Sequence, residues 1–366
     1  MFYLYQREEW PNFNWRDDKI INPLAEVRNL QGRILGRMES LGFELRQEAT
    51  LETTILDVLK SSEIEGEILN QAQVRSSIVR RLGMEWAGAI PSDRDVDGIV
   101  EMMLDATQNC YDPISAERLF DWHASLFPTG RSGMYKIRVA DWRLDEAGPM
   151  LVVSGTLGKE KVHFQAPDAA VVPYEMDRFI EWFNSRIELD GILKAAVAHL
   201  WFITIHPFAD GNGRIARALT DMLLARADNS KQRFYSMSSQ IHKERTQYYE
   251  ILERSQKGQI DITHWLLWFL NCLKNAILSS DSVLDKVWFK ADFWKKHNGV
   301  MMNERQHQMI NKILDHFERK LTSDKWAKLC KCSKDTAIRD INDLIEKKII
   351  CKEDAGGRST HYVLNN

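Results

Sequence analysis

The stretch His206-Pro-Phe-Ala-Asp-Gly-Asn-Gly-Arg-Ile-Ala-Arg217 lies between two apolar periodic segments. Ile192, Leu193, Ala196, Leu200, Ile203 and Thr204 precede it, and Ile215, Ala218, Leu219, Met222 and Leu223 follow. Spacing near 3.6 residues on each side makes the flanks helices and the stretch between them a loop. Pro207 blocks continuation of the first helix, while Gly211 and Gly213 permit positive φ and close approach of a ligand to the backbone. A helix beginning near Asn212 or Gly213 would aim its first N–H groups and the positive end of its dipole at one point, with Arg214 and Arg217 adding fixed charge. Such a nest suits a polyphosphate. Asp210 is then a hard oxygen ligand for an accompanying Mg²⁺, and His206 a base near neutral pH at the mouth of the loop.

An isolated Gly-x-Gly is usually a tight turn, and arginines beside it a solvated face. A histidine, an acid, two glycines and two arginines within twelve residues is too specialised a composition for a simple connection. The stretch resembles the signature of Fic-domain proteins, His-x-Phe-x-Asp/Glu-Gly-Asn-Gly-Arg-x-x-Arg, and meets it at every position. The resemblance implies a mainly α fold, a helical core carrying a β-hairpin flap. It also implies transfer of AMP from ATP, with Mg²⁺, to a Ser, Thr or Tyr hydroxyl of a target protein. His206 would take the hydroxyl proton, the amides of Gly211, Asn212 and Gly213 would hold the α- and β-phosphates, and Asp210 would carry the metal. Arg214 and Arg217 would balance charge on the β- and γ-phosphates.

The chain of 366 residues is long enough for two or three domains with a sizeable core. Its five cysteines are odd in number and scattered, which points to reduced thiols rather than a disulfide framework, and Cys330-x-Cys332 lacks a second ligand pair at zinc spacing. A net charge of −3 argues against general affinity for nucleic acid. With no apolar run of spanning length and no basic-then-apolar start, a soluble, cytoplasmic protein without membrane partners is expected.

Phe2, Tyr3, Tyr5, Trp10, Phe13 and Trp15 are more aromatic surface than an unattached arm would expose, so the N-terminus is expected to clamp onto the domain. Leu24, Val27, Leu30, Ile34 and Met38 predict a helix over about 23–41, and a second follows over about 44–60. Projected at 100° per residue, Leu51, Ile55, Val58, Leu59, Ser62 and Glu65 share one arc, which puts a carboxylate where an apolar stripe should continue. By itself this reads equally as a helix end from which Glu65 reaches solvent. The family resemblance adds an inhibitory motif, Ser/Thr-x-x-x-Glu-Gly/Asn, met by Ser61, Glu65 and Gly66, whose Glu would engage the second signature arginine, Arg217. The motif precedes the signature, so the resemblance is to the intramolecular, N-terminally inhibited members.

Leu151-Val-Val153 and Val162-His-Phe164 flank a glycine-containing turn and predict a hairpin. It reads either as a small stabilising ribbon or, by the resemblance, as a flap over about 150–164 that pairs with an extended target segment. The resemblance also puts Tyr249 beside an adenine pocket and gives Gln256 a base or ribose contact, while His123 reads as a packed core histidine. The expected organisation is an N-terminal helical region over 1–110, a catalytic core over 111–278, a linker helix over 279–296 and a C-terminal domain over 297–366. That last part reads as helices capped by Ser323 and Ser333, then strand, turn, strand, an order that resembles a winged helix-turn-helix. It holds thirteen Lys and Arg against ten Asp and Glu, with Lys334 and Arg339 on the recognition helix and Arg358 in the wing. A DNA contact and a protein or dimer contact both remain open, since Asp335, Asp340 and Asp343 share that helix. Oligomeric state, a homodimer included, is open too. So are two other activities, removal of AMP from a modified protein at the same site and nucleotide sensing by a DNA-binding regulator.

Overall fold

A computed structural model describes residues 2–39, 42–84, 89–145, 148–154, 161–314, 321–353 and 360–365. In chain order the helices are α1 (Asp17–Glu39), α2 (Phe43–Ile64), α3 (Gln71–Arg81), α4 (Arg94–Gln108) and α5 (Ala116–Leu126). Two short hairpins follow, β1 (Arg131–Ser132) with β2 (Tyr135–Lys136), and β3 (Leu151–Ser154) with β4 (Lys161–Gln165). Then come α6 (Val172–Asn184), α7 (Gly191–Ile205), α8 (Asn212–Ala227), α9 (Met237–Lys243), α10 (Arg245–Gln256) and α11 (Thr263–Ser279). The chain ends with α12 (Asp281–Lys296), α13 (Glu304–Leu314), α14 (Ser323–Leu329), α15 (Lys334–Glu346), β5 (Ile350–Lys352) and β6 (Tyr362–Leu364). Two compact units result, one of residues 1–84 and 90–281, the other of 85–89 and 282–366.

In the first unit α7 is the hub. Every residue from Ile192 to Ile205 is buried, as befits a helix apolar on all faces. Asp190 caps it by accepting from the Ile192 N–H at 2.8 Å. α8 packs along α7; α2, α4 and α5 lie against α8, α6 and α11 against α7, and α1 against α11. The described helices before residue 110 belong to the same unit as α5 to α11, with α2 and α4 packed on α8. The N-terminal aromatics do clamp. Trp10 and Phe13 meet Trp201 edge-on at 6.1 and 6.0 Å, while Tyr3 and Tyr5 meet Phe164 of β4 edge-on at 5.2 and 6.2 Å.

Several boundaries differ from the periodicity reading. α1 starts at Asp17 and carries Pro23 in its second turn; Trp15 Nε1 donates to Asp17 at 3.0 Å, and Asp17 and Asp18 complement the dipole. Its expected end at Leu41 lies outside the described residues. α2 runs past Lys60 to Ile64. The hairpin β3–β4 forms with a register shift between Val152 and Val153, its turn lying outside the described residues, and it is joined by the unforeseen ribbon β1–β2. In the second unit, Phe293, Met309, Ile310, Leu314, Leu321, Trp326, Ile341 and Leu344 form a small core. Thr322, rather than Ser323, caps α14, and Ser333 caps α15 as expected. The helix over 281–296 falls mostly within this unit, and Arg358 lies outside the described residues.

Candidate active site

The site is built where α7 ends and α8 begins. His206 closes α7 in the left-handed region, at φ 52 and ψ 58, with its N–H still bonded to the Phe202 carbonyl at 3.0 Å. Pro207 cannot extend the helix. Phe208 is buried and stacks on His123, ring centroids 4.3 Å apart, which anchors the loop. The Asn212 side chain closes it from within, accepting from the Phe208 N–H at 2.9 Å and donating to the Phe208 carbonyl at 2.8 Å. His123 adds a third tie, with Nε2 at 3.2 Å from the Asp210 carbonyl and Nδ1 accepting from the Ala140 N–H at 3.2 Å. Burial pushes that imidazole down to about 4, so it is the neutral tautomer that donates from Nε2. The expected core histidine thus holds the loop.

Only one of the two motif glycines has positive φ. Gly211 sits at φ 79, and a Cβ there would come within 2.9 Å of Phe127 and 3.3 Å of Leu126. Gly213 is helical. A Cβ on it would come within 2.2 Å of Glu65 Oε1, so its bareness makes room for a carboxylate rather than for a turn. Asn212, Gly213 and Arg214 begin α8, and the N–H groups in this first turn are those a helix leaves without internal acceptors.

The anion over that turn in this structure is Glu65. α2 ends in a paired closure: the Gly66 N–H bonds the Glu63 carbonyl at 3.1 Å and the Glu67 N–H bonds the Ser62 carbonyl at 3.0 Å. Gly66 at φ 87 supplies the left-handed residue that this closure requires. Arg217, only 2% exposed, donates Nη2 to Glu65 Oε1 at 2.8 Å and to the Ser61 carbonyl at 2.9 Å, and Nε to Ser61 Oγ at 2.9 Å. Ser61 and Glu65 stand one helical turn apart on one face, which is why both reach the same guanidinium. Burial works against the Arg217 charge, and Glu65 together with Tyr248 and Tyr249 more than restores it, leaving the group above its ordinary value. The periodicity reading did not find Glu67. It projects from the same turn and holds the other signature arginine, Arg214, at 2.7 Å, while Arg214 also lies 5.0 Å over the Phe127 ring. Burial lifts the Glu67 carboxyl above its ordinary value despite Arg214. Among the described residues, no hydrogen-bond partner meets Arg214 Nε or Arg217 Nη1.

His206 Nδ1 lies 3.3 Å from the Ile203 carbonyl, which assigns the proton to Nδ1 and leaves Nε2 an acceptor. Burial, opposed in part by that carbonyl, pushes the imidazole down to about 4, so it is neutral across the physiological range. Asp210 accepts from the Gly211 N–H at 2.6 Å on Oδ1 and from the Ser132 hydroxyl on Oδ2. Among the described residues no group of three or more His, Cys, Asp and Glu could hold a metal ion. Asp210 could hold a divalent cation only together with oxygens from a bound phosphate or water.

Tyr249, on α10, donates its hydroxyl toward the Ile64 carbonyl at 3.5 Å and so abuts the turn that carries Glu65. Gln256 is buried, and its amide donates toward the Ile203 carbonyl at 3.4 Å, the same carbonyl that faces His206 Nδ1.

Residues 113–224 match the model of the Fic/DOC family, and residues 3–84 match a domain of unknown function, DUF4172. The chain carries a Fic domain. Curated proteins named protein adenylyltransferase Fic match at 28% identity over 148 residues in Drosophila virilis and 35% over 144 residues in Drosophila grimshawi. These matches cover 40% and 39% of this chain but only 28% and 27% of those proteins, so the chain spans under a third of their length. Among solved structures, a Fic family protein from Desulfovibrio desulfuricans G20 shares the fold at TM-score 0.55 and 20% identity, over 94% of this chain and 95% of its own. A Fic domain containing signaling protein from Bacteroides thetaiotaomicron does so at 0.52 and 21%, over 72% and 95%. The Ser61–Glu67 turn falls in the DUF4172 segment and the loop it covers in the Fic segment. Among the described residues no helix is long and apolar enough to cross a membrane.

Proposed function

We propose that this Fic domain transfers AMP from ATP to a Ser, Thr or Tyr hydroxyl of a target protein, and that the Glu65 turn holds it at rest. One observation carries the reading: a neutral histidine stands at the mouth of a helix N-terminus whose two arginines are each neutralised by a carboxylate from one external turn. A carboxylate over Gly213 occupies a cradle that equally suits a phosphate. The name of the Drosophila relatives supports the same chemistry.

In the reaction, His206 Nε2 accepts the proton of the target hydroxyl as its oxygen bonds the α-phosphorus; the Pα–O bond to the β-phosphate breaks and pyrophosphate leaves. The Asn212, Gly213 and Arg214 amides, with Arg214 and Arg217 once released, bind and orient the phosphates. Asp210 is the residue to hold Mg²⁺, which would neutralise charge on the phosphate oxygens. Most of the acceleration comes from positioning and preorganised charge. The pair β3–β4 is a two-stranded sheet, and a free strand edge of that kind suits pairing with an extended target segment.

The test is intact-mass analysis of the protein, with and without candidate targets, after incubation with Mg²⁺ and each nucleoside triphosphate. A gain of one AMP from ATP, absent in His206→Ala, supports the proposal; binding of ATP without any mass gain, even in Glu65→Gly, refutes it.

The second unit reads as a winged helix-turn-helix. α15 exposes Lys334, Asp335, Ile338, Arg339, Asn342 and Glu346, two cations balanced by two acids, and Lys334 is paired with Asp324 at 2.8 Å. That face supports a protein contact in preference to a phosphate backbone.

A further inference from the structure

Arg143 is a charged side chain that neither the loop signature nor the inhibitory turn accounts for. It is 2% exposed and lies on the segment between β2 and β3. Its backbone N–H donates to the Pro207 carbonyl at 2.9 Å, and its Nε donates to the His206 carbonyl at 2.8 Å. One guanidinium edge is thereby committed to the C-terminal end of α7, where helical carbonyls lack partners. The rest of the group turns the other way. Nη1 donates to Asp145 Oδ1 at 2.7 Å and Nη2 to the Pro167 carbonyl. Asp145 in turn accepts from the Ala169 N–H at 2.6 Å, and the Ala166 N–H bonds the Met150 carbonyl at 3.0 Å. Asp145 precedes β3 and Pro167 follows β4, so both feet of the hairpin are tied to the guanidinium that also grips His206.

His206 needs such a grip. A non-glycine residue in the left-handed region costs about 1–2 kcal/mol, and it persists only where the surroundings over-determine it. Its φ and ψ set the direction of the Cα–Cβ bond and hence where Nε2 points. Guanidinium geometry matters because three acceptors in two directions are met by one planar group; an ammonium would satisfy them poorly.

We propose that Arg143 is a positioning residue that fixes the His206 imidazole relative to the feet of the β3–β4 hairpin, so that a hydroxyl presented along the hairpin meets Nε2 in register. This rests on the transfer reading above. Arg143 has no hydrogen bond to residues 210–217, so it acts on placement of the base and the acceptor, not on ATP.

The experiment compares Arg143→Met and Arg143→Lys, each in the Glu65→Gly background, with Glu65→Gly alone, measuring kcat for AMP transfer and the Kd of ATP separately. Arg143→Met should lower kcat by about 10²-fold, the scale of a 1 Å misplacement, with the ATP Kd within about threefold. Arg143→Lys should lie between Met and the parent in kcat, with the same Kd. A Met variant at the parent kcat, or parallel loss of kcat and ATP binding in both variants, would overturn the proposal. If the Met variant does not fold, the Lys variant decides by the same split. The His206 imidazole, followed by NMR in the chain with Glu65 intact, gives a readout that needs no transfer. Arg143, Asp210 and Glu65 are the charged groups that act on it, and loss of the Arg143 cation should raise its pKa from about 4, less so with Lys. Unmoved His206 ring resonances in Arg143→Met overturn the positioning role, whereas absence of transfer in Glu65→Gly alone counts against the transfer reading and leaves the NMR result to decide Arg143.

Discussion

Replacing Glu65 with Gly tests the resting state most directly. Removing one partner of a fully buried ion pair costs about 3–5 kcal/mol. Arg217 is 2% exposed, but Glu65 is 32% exposed, and Ser61 Oγ and the Ser61 carbonyl keep their 2.9 Å bonds to the guanidinium. The loss should therefore be nearer about 2 kcal/mol, or about 4–8 °C in Tm for a unit of this size. The same energy sets the activation. A latch of about 2 kcal/mol holds Arg217 away from a ligand by roughly 30-fold, so releasing it should raise AMP transfer by about that factor. ATP at 100 times its Kd contributes about 2.7 kcal/mol to the folded state, so the variant should recover its Tm with ATP and show a larger ATP-induced shift than the parent. Transfer rate and thermal shift, measured on one preparation with and without ATP, check this. A Glu65→Gly protein within twofold of the parent in both would refute the latch and leave Glu65 a structural or hydrolytic residue.

Glu67→Gln should act in the same direction but more weakly: Glu67 is 49% exposed, so its pair with Arg214 contributes at most about 1 kcal/mol, and transfer should rise several-fold, less than in Glu65→Gly, as a rate assay would read. His206→Ala should lower transfer by about 10²–10⁴-fold while a calorimetric ATP Kd stays nearly unchanged, because the α8 amides and the two arginines, not the imidazole, would hold the phosphates. Transfer should also be flat from pH 8 to 5.5 and decline only as pH falls toward about 4, since a base with a lowered pKa loses its function only when protonated below that value; a limb near the ordinary histidine value of about 6.5 in kcat/KM refutes the burial argument. A chain ending at Ser280, just inside the first unit, should fold and bind ATP like the parent, and loss of its ATP-induced thermal shift would show that the second unit supports the site.

The loop and its two helices are legible from residues alone because local patterns write them: 3.6-residue periodicity on both flanks, a proline stop, and glycines before a helix start. The family resemblance points to the Glu65–Arg217 pair, since Ser61 and Glu65 lie at a spacing that puts both on one helix face. Gly213 is misread for a physical reason. Glycine in sequence signals either positive φ or a close neighbour, and only the fold brings Glu65 across to show that here it is the neighbour. Glu67 had a local cue, a left-handed glycine just before it, which by closing α2 with paired bonds throws the next side chain back over the helix end.

Arg143 had no such cue. Its sequence neighbours Trp142 and Leu144 carry no periodicity that marks burial, and its partners His206, Pro207 and Pro167 are 63, 64 and 24 residues away. What selects arginine there is the convergence of three acceptors, from His206, Asp145 and Pro167, on one guanidinium, a tertiary fact. The chemistry-bearing residues of this site are thus local and readable, while those that aim them are not: the histidine that would take the proton is written in the loop, but the φ of 52 that directs it is held by a guanidinium from outside. Sites built in this way can keep an intact signature and still lose activity through a substitution between β2 and β3.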